Sequence, residues 1–263
     1  MVHVLRSELL RLRRPSLIGS WLGLTGMFAV LINTAMFQFV ADGQTEGGPG
    51  ATFPTLDELI APTGLVAGLG AAATFFGVVT LAFWAMTAAT DYQTGLIRLL
   101  ASTEPSRWRL LGGKTLALAL WTAAATLLAL VLCVLVAPIA AEGAGVSTDA
   151  WRDIAAGDIG LAWLHLYAAC LVWGAVGLAL ATITRSAAVA ISVGVGYVLV
   201  VEAVVSAIVS DLGDWLPGST LTALAQGGTA EVSFGAAAAL GLFYGVGGLL
   251  TAGIVQRRRD VTD

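Results

Sequence analysis

Six long apolar runs, separated by short polar stretches, set the pattern of this chain, near residues 17–40, 62–89, 114–139, 159–183, 186–209 and 233–255. Each approaches or exceeds the roughly 20 helical residues needed to cross a hydrocarbon core. Backbone amides in lipid must be satisfied within the segment, and the period-2 alternation of a membrane barrel is absent, so the runs predict helices. Residues 2–14 carry a different pattern. Val2, Leu5, Leu9 and Leu12 share a helical spacing, while Arg6, Glu8, Arg11 and Arg13 take other faces. That pattern predicts an amphipathic helix lying in the membrane interface, ended by Pro15 with Ser16 placed to cap the next helix. The apolar region from Leu17 to Val40 exceeds the roughly 7–15 residues of a signal-peptide core, which favours a retained elbow helix over residues 1–15. The expected architecture is an all-α polytopic membrane protein, with residues 16–263 forming one six-helix domain.

The polar stretches predict smaller elements. Thr55-Leu56-Asp57-Glu58-Leu59 reads as a short interfacial helix, and Ser147-Thr148-Asp149 as a cap before Trp151. Pro217-Gly218 followed by an amphipathic run predicts a short helix that lies at the outer surface or dips in. Thr184-Arg185-Ser186 is so short that the fourth and fifth helices must form a tight hairpin. The glycine pairs Gly19/Gly23, Gly64/Gly68 and Gly241/Gly245 have the small-xxx-small spacing of close helix packing. Trp151, Trp163 and Trp215 at one boundary, and Trp21 and Trp108 at the other, fit aromatic belts.

Composition sharpens the class. Hydrophobic residues make up 57% of the chain and charged residues 11%, against about 25% charged in soluble domains; mean hydropathy is +0.87. Charge is segregated by face. Twelve of the thirteen Lys and Arg residues fall on one side of the six runs, leaving Arg152 on the other. The opposite loops carry acids, among them Asp57, Glu58, Asp158 and Glu231. The positive-inside rule then puts both termini in the cytoplasm, which requires an even number of crossings. The basic face suits anionic lipid headgroups, with Arg11, Arg13, Arg14, Arg107, Arg109 and Lys114 as interfacial anchors; a nucleic-acid partner is not expected.

Candidate chemistry is sparse. Gly112-Gly113-Lys114-Thr115 looks like the end of a phosphate-binding loop, but Trp108 stands where that motif needs its first glycine and no strand precedes it. Glu202 is the one acid deep in a span, about 24 Å along its helix from Ser186. A buried hydrogen bond is the simpler reading for it, and a substrate-path or proton-coupling role the sharper one. His165 falls near the same level, so the two are candidates for one buried polar site. Cys133 and Cys170 lie inside spans without metal-ligand spacing, and neither metal nor hydrolytic constellation is present, so the chain is not expected to be an enzyme by itself.

One polar stretch carries more than the topology asks. Asp91-Tyr92-Gln93-Thr94-Gly95-Leu96-Ile97-Arg98-Leu99-Leu100, running on to Lys114, separates the second and third runs and holds four of the thirteen basic residues. Positive-inside charge explains Arg107, Arg109 and Lys114. It does not explain the apolar cluster of Leu96, Ile97, Leu99 and Leu100 after Gly95, which reads as a short amphipathic docking helix rimmed by Arg98.

These residues, with the elbow Ser7-Glu8-Leu9-Leu10-Arg11-Leu12-Arg13-Arg14, the stretch Pro105-Ser106-Arg107-Trp108 and the Leu216-Pro217 segment before the last run, resemble the membrane subunits of type-2 ABC exporters. The resemblance implies a permease that moves its substrate outward, works as a homo- or heterodimer of membrane subunits, and pairs with a separate ATP-binding subunit that holds ATP and Mg. It implies that residues 91–113 form the coupling loop, with the helix over 92–101 seated in a groove of that ATPase. No cofactor is expected on this chain. The expected location is a bacterial plasma membrane. The competing classes are a proton-coupled secondary transporter using Glu202 and a non-transporting membrane scaffold.

Overall fold

A computed structural model describes residues 2–44, 53–96 and 106–258, and the described residues are helical with no strand among them. The elements are α1 (Val2–Leu12), α2 (Pro15–Ala41), α3 (Leu56–Ile60), α4 (Ala67–Ala71), α5 (Ala73–Gln93), α6 (Arg107–Ala144), α7 (Ala156–Thr184), α8 (Ala187–Gly196), α9 (Ala203–Ile208), α10 (Ser210–Gly213), α11 (Pro217–Gln226) and α12 (Phe234–Arg258). Among the described residues six helices are long and apolar enough to cross a membrane: α2, α5, α6, α7, the continuous α8–α9 rod and α12.

Local sequence accounts for most of the boundaries. Pro15 occupies the first turn of α2, where its missing N–H is one of the unsatisfied donors anyway. Arg14 therefore takes the capping position, without a side-chain bond, and Ser16 is already helical rather than the expected cap. Thr55 and Glu58 close a reciprocal capping box at α3. Thr148 precedes a 3-10 turn at Asp149–Asp153 and makes no capping bond. Ser186 Oγ accepts from Val189 N at the start of α8, directly after the Arg185 turn.

The second and third spans depart from the hydropathy pattern. The run expected over 62–89 is broken: a 3-10 turn at Pro62–Val66 and the short α4 precede a pivot at Ala72, after which α5 runs on to Gln93. Gly64 and Gly68 let this broken piece nest under its neighbours, with Gly68 against the Asn33 side chain and Gly64 beneath Trp151 and Leu59. The indole N–H of Trp151 donates to Leu59 O at 2.9 Å, so Trp151 is an internal strut rather than part of a belt. Trp21 is likewise internal, stacked on Phe83 with ring centroids 3.8 Å apart. The third span begins at Arg107 rather than 114 and has 38 residues, about 57 Å of helix against a core of about 30 Å. Asp91 and Tyr92 therefore belong to the last turn of α5 and residues 107–113 to the first turns of α6; neither is loop. Residues 97–105, including Ile97, Arg98, Leu99 and Leu100 of the expected coupling helix, lie outside the described residues.

The centre of the bundle is the α5–α7 pair, whose most apolar stretches are 72% and 67% buried, against 17% for α12 and 22% for α8–α9. Their seam is reciprocal. Trp173 of α7 fills the space above Gly77 of α5, and Trp84 of α5 fills the space above Gly174 of α7. Trp84 also donates to Thr122 Oγ1 of α6 at 3.0 Å, which ties the third helix to the pair. One turn on, Gly177 meets the backbone oxygen of Leu81. Around this seam α2 packs on α6, and α12 on α7. Gly241 and Gly245 serve the second of these contacts against Val172, whereas Gly19 and Gly23 face no atom within 4 Å.

The seam predicts a sharp contrast. Gly77→Ala places a methyl 2.3 Å from Trp173 and is expected to destabilise by about 1–3 kcal/mol. Gly19→Ala adds a methyl in open space and is expected to be neutral or stabilising by up to ~1 kcal/mol. Unfolding of both variants in detergent micelles checks this; equal effects would contradict the seam.

Candidate functional site

At the end of the bundle that carries α1, four charged side chains meet inside the protein. Glu8 and Arg11 come from α1, three positions apart and so on one face. Asp91 comes from the last turn of α5, and Lys114 from the second turn of α6. Arg11 Nη1 donates to Glu8 Oε1, and Arg11 Nη2 donates to Asp91 Oδ1. Lys114 Nζ lies 2.6 Å from Asp91 Oδ2 and 3.5 Å from Glu8 Oε2, and donates to Thr87 O at 3.3 Å. Two acids and two bases thus alternate in a closed, neutral ring. Glu8 is 3% exposed, Asp91 2% and Lys114 8%.

Gly113 makes the ring possible. A Cβ there would stand 2.5 Å from Val4 Cγ1, so only glycine lets α1 cross α6 closely enough for Glu8 to meet Lys114. The Gly-Gly-Lys run that resembles a phosphate loop is therefore a helix crossing and an ion pair. Lys114 and Arg11, read from the sequence as headgroup anchors, turn inward because carboxylates wait there. Arg13, Arg14 and Arg109 remain exposed at this end and Arg107 is partly so, which fits the anchoring reading for those four. Gly95 (φ 68°) turns the chain after α5, and Leu96 beside it is partly exposed.

Tyr92 leaves α5 on a different face from the ring. The Arg185 guanidinium lies 6.0 Å from the centre of its ring. Its hydroxyl is buried and faces Thr182 and Gln256 without reaching good hydrogen-bond geometry.

Glu202 and His165 do not meet. They hold opposite ends of α11, a helix about 15 Å long. Glu202 ends a π-helical turn at Tyr197–Glu202, and its Oε1 accepts from Gly218 N at 2.8 Å, with the Ser219 amide beside it. The carboxylate thus caps the positive end of α11. Gly218 is again required, since a Cβ would stand 2.3 Å from Glu202 Oε2. His165 packs against the left-handed Gly227 that ends α11 and against the Phe234 ring, 4.6 Å between centroids. It also lines a cleft of about 550 Å³ with Gln226, Glu58, Asp158 and Glu231 over an apolar floor of Val66, Leu69 and Ala225.

Among the described residues no group of His, Cys, Asp or Glu could hold a metal ion. Cys133 and Cys170 are free and buried. No protein-family model matches the chain, and no curated protein matches it either. Glu8 is the residue that sequence reasoning passed over. Its signal was a lone acid among arginines in α1, three positions before Arg11.

Breaking a buried charge ring leaves a charge without a partner. Lys114→Met is expected to cost about 3–5 kcal/mol. Glu8→Gln combined with Lys114→Met restores neutrality around the remaining Arg11–Asp91 pair, and is expected to recover most of that loss. Chemical unfolding of the three proteins in micelles checks this; a double variant no more stable than Lys114→Met would contradict the ring.

Proposed function

We propose that this chain is the membrane permease subunit of an ABC-type exporter, and that the connection between α5 and α6 docks a separate ATP-binding subunit. The α1 end faces the cytoplasm in this reading, as the twelve basic residues on that side require. The single observation that carries it is the ionic ring. It clamps the strut entering the connection (α5), the strut leaving it (α6) and the interfacial helix beside it (α1) into one unit at the membrane surface. A plain tether between two spans has no need of such a clamp. A segment that receives force does, because a soft joint would dissipate the displacement before it reached the helices.

Nothing in the chain's own chemistry hydrolyses ATP, so the energy source is the partner, with ATP and Mg bound there. Closure of two ATPases brings two such connections together and tilts the struts, switching the side on which the path opens. A second permease copy completes the path between subunits, and the sparsely buried α8–α9 and α12 supply apolar surface for it and for lipid. A proton-coupled carrier draws no support from Glu202, whose carboxylate is committed to holding α11. The expected location is a bacterial plasma membrane.

Co-expression with the ATP-binding cassette proteins of its own genome tests the reading. A photoactivatable cross-linker on Leu96→Cys is expected to capture one of these ATPases, while the same probe on Ser147→Cys, at the opposite end, captures none. Leu96→Asp is expected to abolish co-purification of that ATPase. Absence of any cassette ATPase from the Leu96 adduct, or equal capture at Ser147, refutes it.

A further inference from the structure

The last turn of α5 holds two adjacent residues whose side chains leave the helix about 100° apart, and each grips a different half of the bundle. Asp91 binds Arg11 of α1 and Lys114 of α6. Tyr92 meets Thr182 in the last turn of α7, Arg185 in the turn to α8, and Gln256 near the end of α12. Between them they reach α1, α6, α7, α12 and the turn into α8, and α2 is joined to α1 by Arg13 and Arg14 alone.

Two features on the Tyr92 side ask for more than packing. Arg185 ends α7 with φ 56°, a left-handed conformation that glycine adopts without strain. In that conformation the Arg185 cation lies over the Tyr92 ring, one of the contacts it makes at this end. The Tyr92 hydroxyl, for its part, is buried a short way from two polar side chains and lacks a well-formed bond to either. A buried donor left unpaired is costly.

We infer that Asp91 and Tyr92 form a two-way junction. A displacement of the α5–α6 connection passes through Asp91 to α1 and α6, and through Tyr92 to α7, α8 and α12. Both are positioning residues; neither touches cargo. In the moved state the Tyr92 hydroxyl bonds Thr182 or Gln256, which holds that state until the connection relaxes. The inference rests on the reading of the connection as an ATPase dock only for the source of the displacement. The partition between the two sides is a property of this chain.

The partition is measured by hydrogen exchange on the full chain in lipid nanodiscs. Asp91→Asn is expected to speed exchange in residues 3–12 and 107–116 by about tenfold and to leave residues 250–257 within about twofold. Tyr92→Ala is expected to do the reverse. Tyr92→Phe keeps the ring on Arg185 and is expected to leave resting exchange within about twofold throughout. Its effect appears on moving. In complexes purified through the ATPase, a cysteine at His165→Cys reports the opposite end by its maleimide labelling rate, since Cys133 and Cys170 are fully buried. The ATP-dependent change in that rate is expected to fall about fivefold in Tyr92→Phe, a loss that a merely structural hydroxyl would not produce. Loosening of both sides by either single variant, loosening of neither, or an undiminished ATP response in Tyr92→Phe overturns the junction. If no cassette ATPase binds the unaltered chain, the docking reading fails and the exchange pattern alone decides the junction.

Discussion

The constraint on which this structure depends is that no member of the Glu8–Arg11–Asp91–Lys114 ring can leave alone. Glu8, Asp91 and Lys114 sit where water is scarce while Arg11 keeps one edge in water, and withdrawing any one strands its neighbours. An apolar contact of the same size would hold the helices together at least as well. It would also let them slide, because dispersion is indifferent to register. Ionic partners fix α1, α5 and α6 at one rotation and one height, and Gly113 with Val4 fixes how closely they approach. The end of the bundle is thereby a rigid block that fixes the end of α5 and the start of α6 to each other and to α1.

Away from that block, the α5–α7 seam supplies the stiff middle. Two tryptophans locked over two glycines leave little freedom for either helix to rotate. At the opposite end α11 is held differently, by one carboxylate at its positive terminus and by an imidazole against its glycine-capped negative terminus. Thr222 of α11 adds a hydroxyl contact to Thr74 of α5 at 2.9 Å. The three features line up along α5. Its last turn joins the ionic block, its middle makes the seam, and its first turn touches α11 beside the cleft. A tilt of α5 driven from one end is therefore felt at the other, which is the mechanical property an ATP-driven permease needs.

Hydropathy made the six spans legible because it reports the contrast between lipid and water, and Pro15, Thr55 and Ser186 marked ends through local chemistry. The break at Ala72 was not legible, since residues on both sides are equally apolar and the cause is nesting of Gly64 and Gly68 under Trp151 and Asn33, far away in the chain. For the same reason the inward turn of Lys114 was hidden. A basic residue at a helix start serves a headgroup or a carboxylate equally well in sequence, and its partners lie 23 and 106 positions away. Glu202 and His165 stood out in the sequence as polar residues within spans, and depth alone suggested a pair. The helix that separates them, α11, was foreseen as a short element without its place between them.

The most direct measurement is the distance between spin labels in the full chain, bound to the cassette ATPase proposed to dock on it, with and without trapped ATP. Labels at Arg6 on α1 and Leu96 after α5 are predicted to keep one separation in both states, because the ionic ring carries them as one body. Labels at Leu96 and Ser147, at opposite ends, are predicted to change separation when ATP is trapped. A shift in the Arg6–Leu96 distance, or no shift in either, contradicts the account.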